Sequence, residues 1–311
     1  MTRKITLADL KAAVEEAYEK FANAPAGTPD ARIKGVEPST FGISVVLTDG
    51  TVISKGDTET AVPMGNTMLV PLHAILLTQM TPDKLAEKSG KCPYTWTDGK
   101  KPQKPHTPFN SHALRAISAI EPSGDSDGKW DIISDMLTSM MGTSPVLDDE
   151  LYKTLTKQAV DDKVEDNLAA ASYFLYDDAK IVIDLYAKAA AMKASADQLA
   201  TMGATIAADG VNPETNAEVF DGSISAPLVS TMTAKALHKM TAPWLLRAGL
   251  PAKSGFGGSV VGVLPGVFGI AAVAPGLNMV GVSEKASQAL LFIMQKLGLS
   301  VFSSAKVEIV K

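Results

Sequence analysis

The residues best suited to chemistry form one stretch, Gly249-Leu250-Pro251-Ala252-Lys253-Ser254-Gly255-Phe256-Gly257-Gly258. A lysine and a serine enter a glycine-rich turn, and an uncharged, strand-like run follows as far as Val282. This pattern predicts an edge strand that presents an amine and a hydroxyl to a pocket, where they can stabilise charge or move a proton. Other candidates carry less. Cys92 is a single thiol on a loop with no histidine at a fixed spacing, so it reads as a bystander. Asp161, with Lys163 and Glu165, reads by itself as a solvated helix face.

The elements that must position these groups follow from periodicity. Leu7, Leu10, Val14, Ala17 and Phe21 repeat at helical spacing behind Thr6, an N-cap with Asp9 in the first turn. A loop is expected over 23–38. Phe41–Leu47 and Thr51–Ser54 read as strands around Thr48-Asp49-Gly50. Ala61–Met80 is apolar on most faces and reads as a buried helix, and residues 90–112 as a long functional loop. Helices are then expected over 129–141, 148–160, 166–175, 181–191, 195–208 (with Ser195 and Gln198 as a capping box) and 226–239. Strands are expected over 260–264, 268–274 and 277–282, with a buried hairpin turning at Pro275-Gly276, then a helix over 284–297 and a strand near 307–310.

The 311 residues are 46% hydrophobic and 20% charged, enough to bury a core and inconsistent with disorder. A net charge of -5 and a pI near 5.5 argue against nucleic acid as a partner, and the run Lys100-Lys101-Pro102-Gln103-Lys104 reads as a solvated loop. One cysteine excludes an internal disulfide framework. With no signal-peptide pattern at the N-terminus, the expectation is a cytoplasmic protein. Ser259–Val282 carries no charge, but its prolines and glycines make it a buried hairpin, so no membrane partner is expected.

In order and spacing, the blocks Phe41-Gly42-Ile43, Gly56-Asp57, Ser172-Tyr173-Phe174-Leu175, Asp184-Leu185-Tyr186, Leu199–Ala204, Asp209-Gly210-Val211-Asn212-Pro213 and Gly249–Gly258 resemble the serine-dependent glutaminases. The resemblance spans residues 35–302. It implies an α+β, β-lactamase/transpeptidase-like fold, in which an antiparallel sheet built from both chain ends is flanked by helices around an inserted helical region. The whole chain, 1–311, would form one unit, with 1–60 and 245–311 bearing the sheet and 61–244 mainly helical. It also implies an amidohydrolase that needs no cofactor or metal, binds a small amino-acid-like molecule and forms a homodimer or homotetramer.

In that family a serine attacks the amide carbon and a lysine three residues later takes its proton, since positions i and i+3 share a helix face. Counted from Gly56-Asp57, those positions hold Asn66 and Leu69, which supply neither nucleophile nor base. Thr67 reads as a first-turn threonine bonded to backbone. The family's first tyrosine falls near Gly27, its substrate-binding asparagine at Ser111 and its glutamate at Asp161. A second asparagine falls at Leu168, or at Asn167 after a one-residue slip. The late tyrosine falls at His238, and a valine at Phe256. Tyr186 and Lys253-Ser254-Gly255 match. The resemblance thus implies Tyr186, Lys253, Ser254 and His238 as catalytic candidates, with Asn66, Ser111, Asp161, Asn167 and Phe256 around the ligand. His73, His112 and His238 fall in pocket-lining segments, where convergence would give an acid/base pair or a metal site. Two readings follow: a remodelled amidohydrolase that is inefficient on L-glutamine, or a catalytically silent relative that binds a small molecule or assembles with partners.

Overall fold

The computed structural model describes residues 2–88, 108–234 and 236–310. Cys92, the 100–104 basic run and most of the expected 90–112 loop lie outside the described residues. At the N-terminus β1 (Thr2–Thr6) leads into α1 (Leu7–Ala22), whose cap is the Thr6/Asp9 capping box. The hairpin β2 (Gly42–Leu47) and β3 (Val52–Gly56) follows as expected.

Ala61–Met80 is not one helix. Val62–Pro63 is a short strand, β4; Gly65 takes φ +50°, and a 3₁₀ turn runs over Gly65–Met68 before α2 (Leu69–Gln79) begins. Pro71 sits in the first turn of α2, where a missing N–H breaks no intrahelical bond. The uniform hydrophobicity of the stretch concealed this break.

The helical region comprises α3 (Pro82–Lys88), α4 (Ser111–Ser118), α5 (Ser126–Met141), α6 (Asp149–Asp161), α7 (Val164–Ala170) and α8 (Ala179–Ala191). Between α5 and α6 lies β5 (Val146–Leu147), which pairs with β6 (Met192–Ala194), as β4 does. The helix expected over 166–175 stops at Ala170, because Ser172 takes the left-handed φ of +49°. α9 (Ala196–Ala207) begins at the Ser195/Gln198 capping box. α10 (Ser225–Ala234) is shorter than expected. His238, at φ +50°, starts a separate 3₁₀ turn that leads to α11 (Thr241–Ala248).

The main sheet draws on both ends of the sequence. Its strands β7 (Ala252–Ser254), β8 (Ser259–Leu264) and β9 (Phe268–Val273) join β2 and β3 in the antiparallel order β3-β2-β9-β8-β7. The buried hairpin turns at Pro265-Gly266, where Leu264 pairs with Phe268, and not at Pro275-Gly276. Leu277–Val282 forms no strand; Leu277 makes only isolated bridges to Thr28 and Ser283. After α12 (Glu284–Leu297, capped by Ser283), β10 (Lys306–Val310) pairs in parallel with β1, which the sequence reading did not foresee.

Covering of both sheet faces explains the uncharged run over 259–282. Val261, Val263, Ala271 and Val273 pack towards the helical region, while Val260, Leu264, Ile270 and Ala272 pack towards α1 and α12. A strand buried on both faces reads as continuous hydrophobic sequence. α9 lies close against the sheet: a Cβ on Gly269 would stand 2.1 Å from the Ala204 nitrogen. Among the described residues no helix is long and apolar enough to cross a membrane.

Candidate functional site

One cavity of about 900 Å³ lies between the helical region and the sheet edge. Side chains from several elements line it. The 3₁₀ turn and α2 contribute Asn66, Leu69, Val70 and His73, whose spacing of three to four residues places them on one helix face. The start of α4 contributes Asn110, Ser111 and His112. Tyr186 reaches in from α8, and Lys253 from β7, the edge strand of the sheet.

Asn110 organises the near wall. Its Oδ1 caps α4 by accepting from the His112 and Ala113 N–H groups, and its Nδ2 donates to Asn66 Oδ1 at 2.9 Å. Its own backbone N–H donates to the Tyr186 hydroxyl at 3.2 Å. Phe109 stacks on the Tyr186 ring with centroids 4.7 Å apart, which fixes the phenol's direction. Burial pushes the Tyr186 phenol above its ordinary pKa, against smaller opposing effects from the Asn110 N–H and the Arg32 charge, so Tyr186 stays neutral.

His73 and His112 converge, with their Nε2 atoms 3.1 Å apart. One ring must donate and the other accept, so the pair shares a single proton between these nitrogens. His238 lines the same cavity from the 3₁₀ turn after α10 and is exposed as a residue. Loss of water around its ring, and then the nearby Lys253 ammonium, lower its pKa. The three histidines do not form a metal cluster, and no group of three or more metal-binding side chains occurs among the described residues.

Lys253 is 6% exposed and lines the cavity. Ser254, its neighbour on the strand, does not line it; it is fully buried, and its hydroxyl has no partner among the described residues. Alternation along a strand accounts for this, since successive side chains leave opposite faces. Phe256 does not close the cavity. Its ring lies over Gly65, where a Cβ would come within 2.6 Å of it, and beneath the Arg32 guanidinium at 4.7 Å. Thr67 is buried and its hydroxyl donates to the Met64 carbonyl at 2.7 Å, which occupies it locally.

Two of the expected ligand contacts fall elsewhere. Asp161 ends α6, exposed and paired with Lys157. Asn167 lies in α7 and donates to the Asp162 carbonyl. Neither lines the cavity.

The sequence reading overlooked Asp30, Arg32, Phe109 and Asn110. Asp30 and Arg32 form a two-pronged pair: Nε donates to Oδ1 at 2.9 Å and Nη2 to Oδ2 at 2.6 Å. Burial alone would raise the Asp30 carboxyl, but the bonds and charge of Arg32 hold it below the ordinary value. The only signal for this pair was the Asp-x-Arg spacing inside a Pro/Gly-rich loop.

The glutaminase family model matches residues 30–302. The glutaminase of Bacteroides thetaiotaomicron is 37% identical over 97% of this chain and 98% of its own length, and that of Parabacteroides distasonis is 35% identical over the full length of both. Among solved structures, a probable glutaminase, YbaS, superposes with a TM-score of 0.86 at 28% identity, over 96% of this chain and 100% of that one. The Bacillus subtilis glutaminase YbgJ, solved as a covalent complex with 5-oxo-L-norleucine, gives a TM-score of 0.79 at 21% identity, over 95% and 99% of the two chains. The β-lactamase-like fold is common to this chain and these structures.

Proposed function

Because the chain belongs to the glutaminase family, we propose that it keeps the family scaffold with a remodelled pocket, and that it acts on a small amide or amino-acid-like ligand and inefficiently on L-glutamine. The observation that carries this reading is the pair Asn66 and Leu69. Both line the cavity beside Tyr186 and Lys253, yet one is an amide bonded to Asn110 and the other a buried hydrocarbon. Neither can attack a carbonyl or accept its proton. Tyr186 as a neutral donor, Lys253 as a fixed amine and His238 as a weakly basic imidazole supply the remaining acid, base and charge-stabilising capacity.

The same substitutions support a second reading, a catalytically silent relative that binds a small molecule. Assaying ammonia release across a panel of small primary amides separates the two: turnover of one of them supports the enzyme, and saturable binding without turnover supports the binder. Restoring both functional groups, as Asn66→Ser with Leu69→Lys, is expected to raise ammonia release from L-glutamine at least tenfold; no gain in a folded double variant would argue against the assignment of these positions. Family resemblance further supports a cytoplasmic homodimer or homotetramer, which light scattering on the purified chain would measure.

A further inference from the structure

We infer that His73 and His112 form a two-histidine site for a divalent transition-metal ion of the zinc and copper class, in the wall of the cavity. The amide chemistry proposed above uses neither ring, so the inference stands apart from it. The rings come from different elements, His73 from α2 and His112 from the first turn of α4. Both line the cavity. Their Nε2 atoms stand 3.1 Å apart, with ring centroids 5.2 Å apart and planes tilted by 54°. The centroid separation exceeds the nitrogen separation by about the width of one imidazole ring, so the rings meet tip to tip. The fold itself brings the two donors together. His73 is held in a buried helix, and the His112 backbone N–H donates to the Asn110 cap. Donors assembled by the protein spare the metal the cost of ordering them.

The spacing suits chelation. A metal ion 2.0–2.1 Å from each nitrogen, the usual length of a zinc–imidazole bond, would subtend roughly 95–102° between them. That angle lies between the octahedral and tetrahedral values, so small ring rotations bring both nitrogens onto one ion. The ion takes the place of the proton that joins them, and that proton moves to the ring's Nδ1 or to solvent. Imidazole nitrogen suits zinc, nickel and copper, whereas magnesium and calcium take oxygen donors. The pair supplies two coordination positions. Water, or a polar atom of a molecule in the cavity, completes the shell, which makes this an open site and not a closed structural one.

The test is direct metal binding by the untagged full chain. Isothermal titration should show one equivalent of Zn²⁺ bound, Cu²⁺ bound more tightly, and Mg²⁺ not bound at the same concentrations. His73→Gln and His112→Gln each keep a hydrogen-bonding amide at similar reach, and each should weaken Zn²⁺ by about tenfold or more. His238→Gln, at a histidine of the same cavity outside the pair, should leave Zn²⁺ affinity unchanged. Electron paramagnetic resonance of the Cu²⁺ form should show coupling to two imidazole nitrogens, reduced to one in either paired variant. Melting curves establish that each variant is folded, and either paired variant suffices if the other is not. No Zn²⁺ binding up to about 1 mM metal, unchanged affinity in a folded His73→Gln or His112→Gln, or an equal loss in His238→Gln would each overturn the inference. Ammonia release plays no part in these readouts, so failure of the amide-hydrolysis reading is seen separately.

Discussion

Lys129 is a fully buried lysine, 2.7 Å from the Asp177 carboxylate and bonded to the Ile117 and Ser118 carbonyls. It ties α4 and α5 to the segment after α7. Lys129→Met leaves the Asp177 carboxylate without its cation and should cost about 3 kcal/mol in urea unfolding, whereas Lys129→Met with Asp177→Leu should recover most of that loss. Burial alone would raise the Asp177 carboxyl; the bond from Lys129, the Gly124 and Asp178 N–H groups and the lysine charge outweigh it and hold the pKa below the ordinary value. The stability from Asp177 is therefore complete above the ordinary carboxylate pKa and is lost as pH falls through the lower folded value. The urea midpoint should fall less steeply with acid in Asp177→Asn than in the unsubstituted chain.

The packing of α9 on the sheet has little tolerance at the scale of elements. Gly269 brings strand β9 against the α9 backbone, with a would-be Cβ 2.1 Å from Ala204 N and 2.2 Å from Ala200 O. Gly269→Ala is expected to destabilise by about 3 kcal/mol, measured by thermal or urea unfolding, because a helix backbone cannot yield as a side-chain tip can. Element prediction succeeded where pattern and cap agreed, as in α1, α9 and α12, each marked by a Thr or Ser cap ahead of an amphipathic run. It failed where hydrophobicity was uniform or a single backbone angle intervened. Gly65, Ser172 and His238, all at positive φ, broke or shortened expected helices, and no periodicity announces such an angle in a non-glycine residue. The parallel β1–β10 pair escaped notice because its partners lie at opposite ends of the chain.

For the whole molecule, the scaffold was legible because spaced motifs record the sheet hairpins, caps and tight turns that fold the chain. The cavity was legible in part. Asn66, Ser111, Tyr186, His238, Lys253 and Phe256 do share it, whereas Asp161 and Asn167 do not, and Ser254 faces away. The Asp30–Arg32 pair and Asn110 were hidden because their roles come from contacts across distant segments. The measurement that bears most directly on a glutaminase scaffold with a remodelled pocket is the rate of ammonia release from L-glutamine by the purified full chain. A kcat below about 1 s⁻¹ is predicted, under the usual enzymatic range. A kcat between roughly 1 and 1000 s⁻¹ would contradict it.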